Sequence, residues 1–274
     1  MLFTVPYAKP PINELRFKSP QKLLKFDVPV LDCTKERDCC PHSFLSGFVG
    51  DENCLFLNIY APKVVSKALP VMVFIHGGGF TMDSSSRDCY SPEYLLQKDV
   101  IVVTFNYRLH VLGFLSLPSM GISGNAGLKD QQMAIEWVHE NISSFNGDPE
   151  NITIFGESAG AASVHLQVLN QTSRKLIKRG IMQSGTAIGD WVMQKDPENK
   201  ARILAKFLGC KGQTDKDVYE TLMKATSKEL LINSLKPIHP DEKRRNLPLV
   251  FKPVIEHESV NEQLLLFNSL ILIE

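Results

Sequence analysis

Residues 151–160 read Asn-Ile-Thr-Ile-Phe-Gly-Glu-Ser-Ala-Gly, an apolar β-favouring run that leads into a serine between two glycines. The residues that follow, 161–164, favour a helix. Glycine at positions 156 and 160 permits a sharp turn from strand to helix, because a Cβ there would meet the neighbouring elements. Such a turn lifts the Ser158 hydroxyl above the sheet and places a helix N-terminus behind it, where negative charge is favoured. The stretch therefore predicts a nucleophile elbow within an α/β fold.

A glycine-rich loop follows a second apolar run, since residues 71–80 read Val-Met-Val-Phe-Ile-His-Gly-Gly-Gly-Phe. Three consecutive glycines leave backbone N–H groups uncovered and able to point at a ligand. Acyl transfer needs such donors, because the tetrahedral intermediate carries a full charge on the former carbonyl oxygen. A merely flexible loop is the alternative interpretation, and the serine motif at another strand end argues against it. Both motifs are expected on the same edge of one parallel sheet.

The rest of the chain alternates short apolar runs with helical patterns. Buried parallel strands are predicted at about residues 71–76, 100–105, 152–155 and 180–183, and a more edge-like strand over residues 55–60. Helices are predicted over residues 128–142, 158–169, 218–223 and 228–235. A further helix is expected between Asp196-Pro197, an N-cap and first-turn pair, and Gly209, a C-cap. This alternation predicts an α/β fold with a mostly parallel, doubly wound sheet in a single domain, residues 1–274.

The composition narrows the possible partners. Thirty basic and thirty acidic residues give a formal charge of zero, and the largest basic cluster is Lys243-Arg244-Arg245, so nucleic acid is not an expected partner. No apolar run approaches the ~20 residues of a membrane span. The six cysteines do not form paired C-x-x-C units, so no metal is expected.

Several further segments carry a family resemblance. They are Pro6-Tyr7-Ala8, residues 53–60, Asn106-Tyr107-Arg108, residues 124–131, Gly147-Asp148-Pro149 and Gln183-Ser184-Gly185. With these and the two glycine motifs, residues 5–255 resemble the type-B carboxylesterases, an α/β-hydrolase family that includes cholinesterases. The insect esterases look most similar. The resemblance implies an α/β-hydrolase fold, hydrolysis of a small-molecule carboxylic ester through an acyl-serine, and no cofactor.

The resemblance also assigns roles within the site. Ser158 corresponds to the catalytic nucleophile, and the N–H groups of Gly78, Gly79 and Ala159 to the oxyanion hole. Glu157 is expected to support the elbow by hydrogen bonding, and Ser184 to lie behind the reacting groups. His76 is expected to be structural.

A disulfide between Cys40 and Cys54 is also implied by the resemblance, with two reduced thiols as the alternative. The loop that it closes holds Phe44 and Phe48 but no tryptophan. In cholinesterases the corresponding loop carries a tryptophan that stacks on a quaternary ammonium. Choline esters are therefore not the expected substrates.

The remainder of the catalytic triad is not apparent in the sequence. In this fold the order is serine, then acid, then histidine, and the family's acid and histidine segments have no counterpart here. The histidines after Ser158 are His165, His239 and His257, and none is expected to act as the base. The chain is therefore interpreted as the N-terminal half of the fold, truncated at both ends and catalytically incomplete. A non-catalytic, cholinesterase-like binding or adhesion protein is the alternative.

Smaller features complete the expectations. Sequons occur at Asn141, Asn151 and Asn170, of which Asn170 and then Asn141 are the candidate glycosylation sites. For a full-length parent protein the secretory pathway or the extracellular space is favoured. Asp83, His110 and Asn146 stand where the family often has glycine.

Overall fold

The computed structural model describes residues 2–256, apart from residues 26, 27, 29, 45, 46, 63–66, 239, 241, 242 and 244–248. The strands are β1 (Leu2–Pro6), β2 (His42–Phe44), β3 (Gly47–Val49), β4 (Phe56–Tyr60), β5 (Leu69–Ile75), β6 (Ile101–Phe105), β7 (Gly147–Glu157) and β8 (Arg179–Gln183). The α-helices are α1 (Glu93–Leu96), α2 (His110–Phe114), α3 (Ala126–Asn141), α4 (Ala159–Leu169), α5 (Pro197–Phe207), α6 (Asp215–Lys224) and α7 (Ser227–Asn233). Single 3-10 turns cover Asn13–Leu15, Pro118–Met120, Ile142–Phe145 and Ser173–Lys175.

Six strands form one sheet in the order β1-β4-β6-β5-β7-β8. Its centre is parallel, because β5 pairs with β6 and β7, and β7 pairs with β8, all in parallel. The β1–β4 and β4–β6 pairs are antiparallel, and β2 and β3 form a separate antiparallel hairpin. The predicted mostly parallel α/β sheet is confirmed. Strand β4 does not lie at the edge as predicted, since β1 covers its outer side.

The core lies around the central strands and helices α3 and α4. All five residues of β6 are buried, as expected for a strand that is covered on both faces. Helices α3 and α4 are joined by buried polar contacts: Gln131 Nε2 donates to Ser163 Oγ at 3.0 Å, and Gln167 Nε2 donates to Leu128 O at 2.8 Å. These contacts fix α4, and therefore the serine at its N-terminus, relative to the sheet.

The predicted ends of helix α5 are confirmed at Pro197 and Gly209 but not at Asp196. Pro197 opens α5 as predicted, but Asp196 has φ 49° and its side chain caps no backbone N–H. Its carboxylate instead accepts a hydrogen bond from Asn199 Nδ2 at 2.9 Å. Gly209, after α5, has φ 92°, the left-handed conformation expected of a glycine C-cap.

None of the described helices combines the length and apolar character needed to cross a bilayer.

Strand β8 is the last strand on one side of the sheet among the described residues. All five of its residues are exposed, including Ile181 at 45% and Met182 at 40%. Among the described residues, only β7 pairs with it. An exposed strand edge with unpaired backbone groups is a template for association with another strand.

Candidate active site

Ser158 lies at the junction of β7 and α4 in a conformation that is rare for a non-glycine residue, with φ 55° and ψ −119°. Its N–H donates to Gln183 O at 2.8 Å, and its carbonyl accepts from Ala162 N–H at 3.0 Å. Such strain costs about 1–3 kcal/mol and persists only where the surroundings impose it. The strand β8 and the first turn of α4 therefore both hold the serine in this turn.

The two flanking glycines are required by close packing. A Cβ at Gly156 would lie 2.6 Å from both Ile75 O and Gly160 C. A Cβ at Gly160 would overlap Ile75 O and lie 2.9 Å from His76 O. The end of β5 thus presses against the start of α4, and no side chain fits between them.

The glycine-rich loop lies beside the serine. Ile75, the last residue of β5, is paired with Gly156 of β7, so the two motifs leave the sheet at the same edge. A Cβ at Gly77 would lie 2.8 Å from Glu157 O and 3.4 Å from Ser158 Cβ. Gly78 and Gly79 have φ 84° and 63°, which favour glycine.

Three backbone N–H groups at this edge have no acceptor in the described part of the chain. They belong to Gly78, Gly79 and Ala159. Ala159 is the first residue of α4, where helix N–H groups lack intrahelical partners and the helix dipole favours negative charge. The structure therefore gathers the predicted donors beside the predicted nucleophile.

A polar turn supports the loop. Gly78 O accepts from Thr81 N–H and Thr81 Oγ1, both at 3.0 Å, and from Met82 N–H at 3.1 Å. Asp83 follows with φ 88°, and its carboxylate accepts from Ser84 N–H at 2.7 Å and from the Tyr90 hydroxyl. The left-handed backbone at Asp83 is one that glycine adopts without strain, which fits the expectation that the family often has glycine here. His110 and Asn146, with φ 51° and 63°, fit the same explanation.

His76 precedes the glycines and is fully enclosed. Its ring stacks on Tyr107 with 4.3 Å between centroids, and the Tyr107 hydroxyl donates to His76 O at 3.0 Å. Burial lowers the pKa of His76 to about 4, so the imidazole is neutral at neutral pH. Its Nδ1 lies 3.2 Å from Gly77 O. Tyr107 was not singled out from the sequence, although it belongs to the Asn106-Tyr107-Arg108 segment.

Glu157 and Ser184 border the elbow, and the Glu157 carboxylate lies beside the glycine-rich loop, with Oε2 3.1 Å from the position of a Cβ on Gly77. Both are exposed, and within the described residues neither side chain makes a hydrogen bond. Ser184 has φ 61°, and a Cβ at the next residue, Gly185, would overlap Ser158 O. The turn after β8 therefore buttresses the backbone of the elbow.

No base reaches the serine in the described part of the chain, because Ser158 Oγ has no hydrogen-bond partner there. His165, on α4, is hydrogen-bonded away from Ser158, because its Nδ1 accepts from Ala187 N–H at 3.1 Å. His239 and His257 lie outside the described residues. The described residues also contain no group of three or more side chains suited to a metal ion.

The side chains of the two candidate glycosylation sites, Asn170 and Asn141, are both hydrogen-bonded within the chain. Asn170 is 5% exposed, and its Nδ2 donates to Gln132 Oε1 at 3.3 Å. Asn141 is partly buried, and its Nδ2 donates to Trp137 O at 2.8 Å. A glycan replaces one of the two hydrogens on this nitrogen, so only one N–H remains to donate.

The disulfide expected from the resemblance is present. Cys40 and Cys54 are bonded, with 4.9 Å between their Cα atoms, and both are buried. The bridge closes a loop with a sequence separation of 14 and anchors the β2–β3 hairpin to the start of β4. The alternative of two reduced thiols at these positions is wrong.

Comparisons with known proteins show the family of this chain. The model of the carboxylesterase family matches residues 3–269. Juvenile hormone esterase of Tribolium castaneum is 44% identical over 235 residues, which are 82% of this chain and 40% of that protein. Esterase B1 of Culex pipiens is 39% identical over 258 residues, 92% of this chain and 47% of that protein. The chain thus spans less than half the length of these relatives.

A solved structure is similar throughout. The crystal structure of juvenile hormone esterase from Manduca sexta, with OTFP covalently attached, matches with a TM-score of 0.86 and 35% identity. The match covers 99% of this chain and 52% of that chain. It supports the α/β-hydrolase fold expected from the sequence. The chain belongs to the carboxylesterase family.

Proposed function

We propose that this chain is the serine-bearing part of a carboxylic ester hydrolase, with Ser158 as the nucleophile that forms an acyl-enzyme. The observation that carries the proposal is the strained turn at Ser158, beside three unpaired N–H groups on the same sheet edge. Strain of this kind is costly, and it is characteristic of residues that do chemistry.

The chemistry follows from the placement of these groups. Attack of the Ser158 hydroxyl on an ester carbonyl forms a tetrahedral intermediate with a negatively charged oxygen. The N–H groups of Gly78, Gly79 and Ala159 would donate to that oxygen, and the N-terminus of α4 would add a favourable dipole. Collapse of the intermediate expels the alcohol and leaves the acyl group on Ser158, and water then releases the acid.

Proton transfer from Ser158 is the step for which the described residues supply no acceptor. Ser158 needs a base to accept its proton, and the described residues place none against its Oγ. An oxyanion hole and substrate binding alone leave about 10³–10⁴-fold acceleration over water in other serine hydrolases. We therefore expect residues 1–274 by themselves to turn over esters far more slowly than a complete esterase.

The absence of a base among the described residues is also what favours the second candidate, a non-catalytic binding or adhesion protein of the cholinesterase type. The intact serine and loop glycines favour the hydrolase, because a binding role needs neither a strained serine nor unpaired donors. The substrate class that we propose is a small carboxylic ester without a choline group.

The test is steady-state hydrolysis of 4-nitrophenyl acetate by residues 1–274 and by Ser158→Ala. We expect slow hydrolysis by the parent chain, far below ordinary esterase rates, and a lower rate in the variant, which keeps only the acceleration from the oxyanion hole and substrate binding. Equal rates in the two proteins would mean that the residual hydrolysis does not pass through Ser158 and would contradict its role as the nucleophile. Ordinary esterase rates that vanish in Ser158→Ala would instead overturn the expectation that none of the histidines after Ser158 acts as its base.

A further inference from the structure

The directions of the Gly78 and Gly79 N–H groups are set by the carbonyl groups of the preceding residues. The peptides here are trans, and in a planar trans peptide the C=O and N–H bonds point in opposite directions. Whatever holds Gly77 O therefore also directs the Gly78 N–H, and whatever holds Gly78 O directs the Gly79 N–H. Glycine peptides need such restraints, because glycine turns through conformations that other residues do not reach.

The two carbonyl oxygens are held unequally. Gly78 O accepts three hydrogen bonds from the turn that follows it, the longest at 3.1 Å. Gly77 O accepts from the Tyr107 hydroxyl at 3.4 Å and lies 3.2 Å from His76 Nδ1. Because a carbonyl oxygen only accepts, Nδ1 must carry the proton of this hydrogen bond. The direction of the Gly78 N–H thus depends on two long hydrogen bonds from side chains.

Tyr107 is placed to restrain two successive carbonyl groups of the loop. Its hydroxyl donates to His76 O at 3.0 Å as well as to Gly77 O. Its ring is fully buried and stacks on the His76 ring with an interplanar angle of 22°. Burial raises the pKa of Tyr107 well above its usual value, so the hydroxyl remains a donor well into the alkaline range.

The backbone on both sides of Tyr107 is itself fixed. Asn106 N–H donates to Phe56 O on β4 at 3.0 Å, and Arg108 N–H donates to Asp130 Oδ2 on α3 at 3.0 Å. The phenol ring is therefore attached to the sheet and to a helix, and the glycine-rich loop is attached to the phenol.

The His76 ring has an energetic cost that its hydrogen bond to the loop explains. Its Nε2 is buried and has no hydrogen-bond partner among the described residues. An unsatisfied buried nitrogen destabilises the folded state, and an apolar ring at this position would avoid that cost. An apolar ring would also lack the Nδ1–H group that faces Gly77 O.

We propose that Tyr107 and His76 are positioning residues of the oxyanion hole, which hold Gly77 O so that the Gly78 N–H stays directed to the oxygen that forms at Ser158. The inference rests on the proposed hydrolase function and adds the residues that organise its site. Gly77 lies against the nucleophile, since a Cβ on it would be 3.4 Å from Ser158 Cβ. Rotation of the Gly77–Gly78 peptide would exchange a donor for an acceptor beside the developing negative charge.

The rate at which a fluorophosphonate modifies Ser158 reports on this hole. Ser158 Oγ bonds to phosphorus, the P–F bond breaks, and fluoride and the hydroxyl proton pass to solvent. The phosphoryl oxygen gains negative charge in the transition state, which the N–H groups stabilise. Peptide mass spectrometry during prolonged exposure gives the rate of modification at Ser158 for the parent chain and for each variant.

Tyr107→Phe keeps the buried ring and removes the hydroxyl. Loss of one oxyanion donor costs about 10²–10³-fold in rate in other enzymes. A donor that is misdirected for part of the time should cost less, so we expect modification of Ser158 to slow about tenfold.

Tyr60→Phe is the matched control, because it removes another buried tyrosine hydroxyl, which donates to Glu36 Oε1 at 3.1 Å. Each of the two variants loses one hydrogen bond and should melt about 2–4 °C below the parent chain. Tyr60→Phe should nevertheless modify Ser158 at the parent rate. Equal slowing in the two variants would mean that lost stability controls the rate, and it would overturn the proposal.

His76→Phe tests the same peptide through the second donor. It removes the Nδ1–H group together with the unsatisfied Nε2 and keeps an aromatic ring beside Tyr107, so its Tm should fall no further than that of Tyr60→Phe. Modification of Ser158 should still slow, by about threefold to tenfold. A residue with only a structural role would leave this rate unchanged.

The outcomes separate this inference from the function on which it rests. Modification at the parent rate in Tyr107→Phe or in His76→Phe would overturn the positioning role of that residue and leave Ser158 as the nucleophile. No adduct at Ser158 in the parent chain after prolonged exposure would overturn the proposed function, and the positioning roles with it.

Discussion

Replacing Gly156 by alanine tests the close packing at the elbow. The added Cβ would lie 2.6 Å from Ile75 O and Gly160 C, and 2.7 Å from Gly160 O. Ordinary contacts between such atoms begin near about 3.4 Å, so backbone on two elements must move by most of an ångström. Overpacking of this kind costs about 1–3 kcal/mol, and we expect the upper end because backbone cannot change rotamer. For a chain of this size that is a fall in Tm of roughly 6–12 °C.

The matched control is Gly209→Ala, also next to a helix but in open space. No atom lies within 4 Å of its added Cβ, and only the left-handed φ of 92° opposes the substitution. We expect a cost of about 1 kcal/mol and a fall in Tm of roughly 2–4 °C. Both Tm values can be measured by circular dichroism. Equal melting of Gly156→Ala and the parent chain would refute the packing argument, and so would a larger fall in the control.

Three further predictions concern stability and association. Because burial lowers the pKa of both His76 and His110 to about 4, the folded chain binds fewer protons than the unfolded chain between pH 4 and 6.5; each histidine should contribute a fall in stability of roughly 3 kcal/mol as the pH drops through this window, and His76→Gln should remove about half of the pH dependence of the denaturant midpoint that the two histidines cause. Ile181→Lys, on the open edge of β8, should reduce self-association in analytical ultracentrifugation, whereas Ile232→Lys on α7 should not; equal effects would exclude the strand edge as the contact. Cys40→Ser combined with Cys54→Ser should lose about 3 kcal/mol of stability, and an unchanged urea midpoint would contradict this.

The sequence revealed the parts of the fold that depend on local pattern. The apolar runs that became β5 and β7 each end in glycines, and parallel pairing of strands brings such ends to one edge. That pairing is sufficient to predict the loop at Gly78 beside Ser158. The order of the six strands does not follow from local pattern. The prediction of β4 at an edge is wrong because β1, which covers it, is distant in sequence, from Pro6 paired with Phe56 to Leu2 paired with Tyr60.

The contacts that support the elbow and the helix ends could not be predicted from the sequence, because they depend on strand register and backbone conformation. The hydrogen bond from Ser158 N–H to Gln183 O joins the elbow to another strand, so it depends on the register of the sheet. Asp196 has the residue type of a helix cap, yet its left-handed backbone turns the side chain toward Asn199.

The most direct test of Ser158 as the nucleophile is the site of covalent modification by a fluorophosphonate. Brief exposure of residues 1–274 should give no stoichiometric adduct, because no base is placed against Ser158 Oγ in the described structure. Prolonged exposure should give a slow adduct that peptide mass spectrometry assigns to Ser158, and heat-unfolded chain and Ser158→Ala should give none. An adduct at another residue, or the same modification of the unfolded chain, would contradict the account.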